Sequence, residues 1–299
     1  MDLKKPLSLN KQVNQLILHK MDVSDVEYAT GILSKINYYR FTGYATQFRD
    51  KDNPDDYYPG TSFDVVLRLY NFDAHLRSLI KPYLDMVELF ARTKISYGFS
   101  LSKCLEPPHD QHYNSALFYY RGSHEKIFDL SLSREKENSK DSLFVMHHNN
   151  KYDGKMPLWV IVELLSFTNI SKLYSAMDCN EQDKIAAELG TSRKILQNHL
   201  HCLANLRNKV AHASRLYNTK FNPPANLDGS FLQQNPTVTQ NTLFAYIIAL
   251  IRRLPNTEDK LNMVKDIHSL CSTYKDSVDL DLIGFPENST ALLVAEITR

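Results

Sequence analysis

Leu203-Ala204-Asn205-Leu206-Arg207-Asn208-Lys209-Val210-Ala211-His212-Ala213-Ser214-Arg215-Leu216-Tyr217-Asn218 gathers more chemically useful side chains than any other part of the chain. Its pattern predicts a helix. At about 3.6 residues per turn, each residue advances roughly 100° around the axis. With Arg207 set to zero, Arg215 falls near roughly 80°, Asn208 near 100°, His201 near 120°, His212 near 140° and Asn205 near 160°. Leu196, Leu200, Leu203, Leu206, Val210 and Tyr217 collect on the other side. One face is therefore predicted as core, and the other as a strip of arginine, asparagine and histidine.

From Thr191 to Lys220 there is no Asp or Glu, whereas Arg193, Lys194, Arg207, Lys209, Arg215 and Lys220 all fall there. A solvated helix ordinarily mixes both signs, because opposite neighbours stabilise it. A strip with cations only has two readings. Either it meets an anionic partner, or it is a buried or subunit-facing helix whose arginines pair with acids elsewhere in the fold.

Arg207-Asn208-Lys209-Val210-Ala211-His212 resembles the Arg-x4-His motif of the HEPN superfamily of helical ribonucleases, and residues 206–218 are similar to the signature of bacterial Abi-like (Abi_2) abortive-infection proteins. Further blocks carry the same resemblance. They are Ile36-Asn37-Tyr38-Tyr39-Arg40-Phe41-Thr42-Gly43-Tyr44, then Phe72-Asp73 with Leu76-Arg77, then Pro157-Leu158-Trp159-Val160 with Glu163-Leu164-Leu165, and Ile283-Gly284-Phe285-Pro286-Glu287-Asn288. The family often has a Trp where His199 stands and a second His where Ala213 stands. The resemblance implies an all-α, HEPN-like helical bundle with additional N- and C-terminal helices and an irregular insertion. It also implies a metal-independent endoribonuclease of the abortive-infection or toxin type, leaving 2′,3′-cyclic phosphate ends. A homodimer with a composite active site is implied too.

Composition leaves this open. The chain has 299 residues, 43% hydrophobic and 23% charged, with a net charge of +1. That is ordinary for a globular protein, so RNA binding must come from a local patch. Cys104, Cys179, Cys202 and Cys271 are isolated, which argues against a zinc finger or a disulfide framework and fits a cytoplasmic protein. Met1-Asp2-Leu3-Lys4-Lys5-Pro6 has no apolar run, so no signal peptide is expected, and the apolar residues 243–251 are too few to span a bilayer. The expected divisions are 1–60, 61–225 with an insertion at about 101–156, and 226–299, packed as one unit.

Along the chain, residues 10–20 predict a short amphipathic helix, and Ser24-x-x-Glu27 predicts a capped helix over 25–36. Residues 38–44 read as a turn packing its rings on the core, with base stacking as the alternative. A helix is predicted from Ser62, with a kink or fresh start at Pro82. Glu88 and Arg92 stand four apart, the spacing of an intrahelical pair; a place near the active site is the alternative. Residues 101–156 look irregular, with His109, His112, His124, His147 and His148 read as surface residues rather than metal ligands. The tract 131–141 reads as a loop or mobile insertion. Trp159 is expected to anchor the core. Glu163 sits among apolar residues; it either pairs with a cation such as Arg207 or lies on the surface. Helices are further predicted over 180–189, with Gly190 ending it and Thr191 capping the next, and over 241–254, 257–274 and 290–298.

Cleaving RNA through its own 2′-hydroxyl requires moving two protons and steadying charge on phosphorus. Histidine titrates near about pH 6.5 and suits the first task; arginine grips two phosphate oxygens and suits the second. His212 is therefore assigned general acid/base chemistry and Arg207 the phosphate clamp, with no cofactor and no metal. Asn208 is placed to orient the imidazole. Arg215 and Lys209 are expected to hold flanking phosphates, with His201 and Tyr217 as further RNA contacts and Glu163 behind the site. Expected partners are RNA, a second copy of the chain and an antitoxin or regulatory protein, with no membrane. The rival readings are a non-catalytic HEPN module binding RNA or protein in phage defence, and a structural protein whose strip only seals a dimer.

Overall fold

The computed structural model describes residue 3 and residues 5–298. Among these the fold is all-α, with isolated bridges joining Asp22 to Ser62, Arg49 to Tyr57 and Phe118 to Met177 but no strand. The chain divides into two units, Met1–Arg77 with His268–Leu280, and Ser78–Ile267 with Asp281–Arg299.

In the first unit, α1 (Leu9–Leu18) buries Val13 and Leu16. The next helix, α2 (Val26–Leu33), is capped by Asp25, which accepts the Tyr28 N–H, so the cap falls one residue after Ser24. Residues 38–44 are not a turn: Asn37 accepts the Tyr39 N–H and starts α3 (Tyr38–Ala45). The expected ring packing holds for Phe41 and Tyr44, which are buried, while Tyr39 is exposed. Then α4 (Phe63–Lys103) begins and continues as helix through Pro82, with no fresh start there. An interior proline costs about 3 kcal/mol. Ile80, Tyr83, Leu84 and Val87 around it are buried, and burial of each such side chain contributes about 1.5–3 kcal/mol, so packing outweighs the break. On α4, Asp73 is fully buried; it accepts the Tyr44 hydroxyl at 2.6 Å and pairs with Arg77. The blocks around Tyr44 and Asp73/Arg77 thus meet in one buried network.

In the second unit the supposed insertion is built largely of helices. It holds α5 (Arg121–Glu125), a π-turn over Lys126–Ser131, α6 (Leu132–Asn138) and α7 (Leu143–Tyr152), so the tract read as a loop is largely helical. His112 and His124 are buried, not surface residues: His112 Nε2 donates to the Met156 carbonyl at 2.9 Å and His124 Nε2 to the His112 carbonyl at 2.8 Å. On α8 (Leu158–Leu164), Trp159 is 40% exposed and stacks on Tyr97 instead of anchoring the core. α9 (Phe167–Ala176), α10 (Cys179–Glu188) and α11 (Arg193–Ala211) follow, then α12 (Gly229–Gln234) and α13 (Leu243–Arg253). Every residue from Leu243 to Ile251 is buried, and α11 packs against α9, α10 and α13. A helix apolar on all sides belongs at the centre of its unit. α14 (Thr257–Tyr274) is started by Asn256, which accepts the Asp259 N–H at 2.9 Å, and α15 (Ser289–Ala295) follows. No helix among the described residues is long and apolar enough to cross a membrane.

Candidate active site at the end of the motif helix

Ser192, not Thr191, caps α11, its hydroxyl accepting the Ile195 N–H. The apolar side lies as the periodicity predicts: Leu196, Leu200, Leu203, Leu206 and Val210 are buried. The far end differs. The helix closes at Ala211, with His212 as the residue that ends it. Ala213 takes φ +50°, its N–H bonds the Val210 carbonyl at 3.1 Å, and the Ser214 N–H bonds the Lys209 carbonyl at 2.8 Å. This is the closing turn that glycine ordinarily supplies. Neither Gly nor Pro marks it in the sequence, so the helical pattern alone overruns it.

His212 therefore stands at the rim of a helix end, exposed, with no hydrogen bond to its ring among the described residues. Arg207 is one and a half turns earlier. Its side chain is 35% exposed, and its Nε lies 3.0 Å from Glu88 Oε2 on α4. The other Glu88 oxygen pairs with Arg92, which also donates to the Val162 carbonyl. One buried carboxylate thus holds two guanidiniums. The Arg207 contact uses Nε, leaving its outer nitrogens for another acceptor. The partner of Arg207 is Glu88, not Glu163, which is exposed. The i, i+4 spacing of Glu88 and Arg92 was the available signal; what it lacked was the neighbouring helix.

The other expected site residues separate. Asn208 donates from its side-chain amide to Thr168 Oγ1 at 3.1 Å, and its carbonyl accepts the His212 N–H. It fixes the backbone of His212 and ties the helix end to α9. Lys209 lies over the Phe221 ring, 5.8 Å from its centroid. Arg215 is beyond the helix, so the helical angle assigned to it does not apply; its carbonyl accepts the Thr219 hydroxyl. Tyr217 is 1% exposed, which removes it as an RNA contact and leaves it as core. His201 is exposed and faces a cavity of about 460 Å³ between α9 and α11, lined also by Thr168, Lys172, Lys194, Gln197 and Asn198. No acid lines it. Lys194, Asn198, His201, Asn205, Asn208 and His212 follow one another at spacings of three or four, so this groove lies along the row that ends at the histidine.

Behind the row the helix is inert. His199 is fully buried and donates through Nε2 to the Asn226 carbonyl at 2.8 Å; burial, helped by the Arg253 charge, pushes its pKa down to about 3. Burial pushes the Cys202 thiol up to about 11, so it is no nucleophile.

Comparison with known proteins supplies the lineage. No curated protein and no solved structure matches the chain. The family model for Abi-like protein matches residues 31–218, more than half of the chain, taking in α3, the Glu88 clasp and the whole of the His212 turn. The chain is therefore a member of the Abi-like protein family.

Proposed function

We propose that this protein is a HEPN-type, metal-independent endoribonuclease acting in abortive infection, the phage-defence role that membership of the Abi-like family implies. The observation that carries the reading is the end of α11, where an exposed imidazole and a partly exposed guanidinium, held from behind by Glu88, share a helix whose open row is free of acids. His212 takes the proton from the RNA 2′-hydroxyl as that oxygen attacks phosphorus, or gives one to the departing 5′-oxygen. Arg207 presents its outer nitrogens to the phosphate oxygens as charge builds on them. One histidine cannot stand on both sides of the phosphate at once. A second copy of the chain, its α11 end facing the first, supplies the other. RNA approaches along the α9–α11 groove, over Lys172, Lys194 and His201.

The test is cleavage of RNA in chelator by wild type, Arg207→Ala and His212→Ala. His212→Ala lowers the rate by about 10²–10⁴-fold and Arg207→Ala by about 10²–10³-fold, with cyclic phosphate ends from wild type and no change in the His212→Ala melting curve. Wild-type cutting by His212→Ala removes the assignment. The rival is a binding module without chemistry, which the Glu88–Arg207 pair favours, since an ion-paired arginine also serves structure. It requires that wild type bind RNA and leave it whole.

A further inference from the structure

Arg252 and Arg253 end α13 side by side, and their surroundings differ. Arg252 is fully matched: Glu296 takes its Nε and Nη2, each at 2.7 Å, and Asp228 takes its Nη1 at 3.1 Å. Among the described residues Arg253 has no carboxylate partner. Its one hydrogen bond there runs from Nη1 to the Leu189 carbonyl at 3.5 Å, and its Nε is sealed from water with no partner. A guanidinium in that position is costly unless something anionic meets it. Lys260, close by, also makes no ion pair among the described residues, and burial together with Arg253 lowers its pKa. Burial and the Arg252 charge lower that of Arg253 to about 10.

The nearby acids do not balance this surplus: Glu188, which lines a cavity beside Arg253 and Lys260, pairs with Lys94 at 3.3 Å. Glu296 and Asp228 are bound to Arg252, and Asp228 also accepts the Ser230 hydroxyl and the Phe231 N–H. What faces Arg253 is space. A cavity of about 620 Å³ is lined by Arg252, Arg253, Asp228, Gly190, Thr191 and Ser192, and a second of about 230 Å³ shares Arg253 and adds Lys260. Gly190, at φ +60°, turns the chain sharply out of α10, and Thr191, Ser192 and Ile195 at the start of α11 line the larger cavity, with the Thr191 N–H taken by the Ala186 carbonyl and the Ile195 N–H by the Ser192 hydroxyl. Helix starts attract anions through their unbonded N–H groups.

We propose that this cavity binds a phosphate group, carried by a free nucleotide or by RNA, on Arg253 and the first turn of α11, with Lys260 adding charge from the side. A planar guanidinium and backbone N–H groups suit a tetrahedral oxyanion, and the cavity has room for more than the phosphate itself. The site lies at the opposite end of α11 from His212. For a helix of 19 residues that is about 28 Å at 1.5 Å per residue, so it is separate from the proposed catalytic end and does not depend on RNA being cleaved.

The experiment uses the full chain. Melting and calorimetric titration are run with inorganic phosphate, ADP and a 2′-O-methylated RNA octamer that cannot be cut, each against sodium chloride at equal ionic strength. At least one probe raises the melting temperature and saturates. Response to phosphate or ADP marks a small-molecule site; response to the octamer alone marks an RNA contact. Arg253→Met weakens binding tenfold or more, Lys260→Met by about threefold. Without any probe, Arg253→Met melts at or above the wild-type temperature, because a partly buried charge with no carboxylate beside it is gone. The proposal is overturned if no probe binds, if Arg253→Met binds as wild type does, or if Arg253→Met unfolds early or fails to fold, which would make the arginine structural.

Discussion

Replacing Glu88 with glutamine tests the clasp behind Arg207. The carboxylate side chain is 6% exposed, Arg92 is 12% exposed and Arg207 is 35% exposed. Glutamine keeps the shape and one acceptor but removes the charge. The half-exposed pair with Arg207 contributes at most about 1 kcal/mol. The pair with Arg92 matters more, since stripping the partner from a buried charge costs about 3–5 kcal/mol. Arg92 keeps its bond to the Val162 carbonyl, so the expected loss sits at the low end, about 3 kcal/mol in all. In a domain of roughly 200 residues this lowers the melting temperature by about 6–12 °C. Urea and thermal unfolding measure it. Cleavage, measured at a temperature where the variant stays folded, falls in kcat more than it rises in KM, because Arg207 has lost the group that aims it. The double variant Glu88→Gln/Arg92→Met regains most of the stability and none of the activity. A Glu88→Gln protein that melts within a degree or two of wild type would refute the claim that this carboxylate holds a buried charge.

Three further outcomes follow from other parts of the fold. Ala213→Gly relieves the left-handed strain at φ +50° and raises unfolding free energy by about 1 kcal/mol; an unchanged urea midpoint counts against the turn. Gly284→Ala does the reverse: at φ +81° an added Cβ would lie 2.4 Å from Thr242 Cβ, so strain and overpacking together cost about 2–5 kcal/mol, read as early denaturation. His112 and His199 have pKa values lowered by burial to about 4 and about 3. The unfolded chain therefore binds protons that the native one refuses, and stability falls as pH drops below about 6.5, by about 1.4 kcal/mol per pH unit for each histidine. Stability flat from pH 7 to pH 5 in urea titrations contradicts their burial as neutral rings.

The buried side of α11 is legible because a 3.6-residue period writes itself directly into Leu196, Leu200, Leu203, Leu206 and Val210, whereas the all-α bundle is what the family resemblance implies. What was hidden was whatever depends on a neighbour. Pro82 carries a local penalty that only tertiary burial overrides. Tyr38 to Ala45 is short and aromatic, so its helix rests on the Asn37 cap and on Phe41 packing against Phe63, which lies far along the chain. His112 and His124 look like surface residues until the carbonyls that receive their N–H groups are in place. In the candidate site, Arg207 and His212 stood out as a motif, but Glu88 is 119 positions before Arg207, and no spacing rule connects them. Arg215 is misplaced because the helical pattern overruns Ala213; Tyr217 lies in the core where the periodicity puts it, and only its expected contact with RNA fails.

That left-handed residue also bounds how the site can vary. Side chains branched at Cβ fit poorly there, whereas Asn, Asp and His tolerate it better than most. A library randomised at position 213 and screened for soluble protein should thus return Gly, Ala, Asn, Asp and His and lose Val, Ile and Thr. The neighbour of His212 is filtered by backbone shape before any chemistry is selected, and a second imidazole is among the few additions the turn admits.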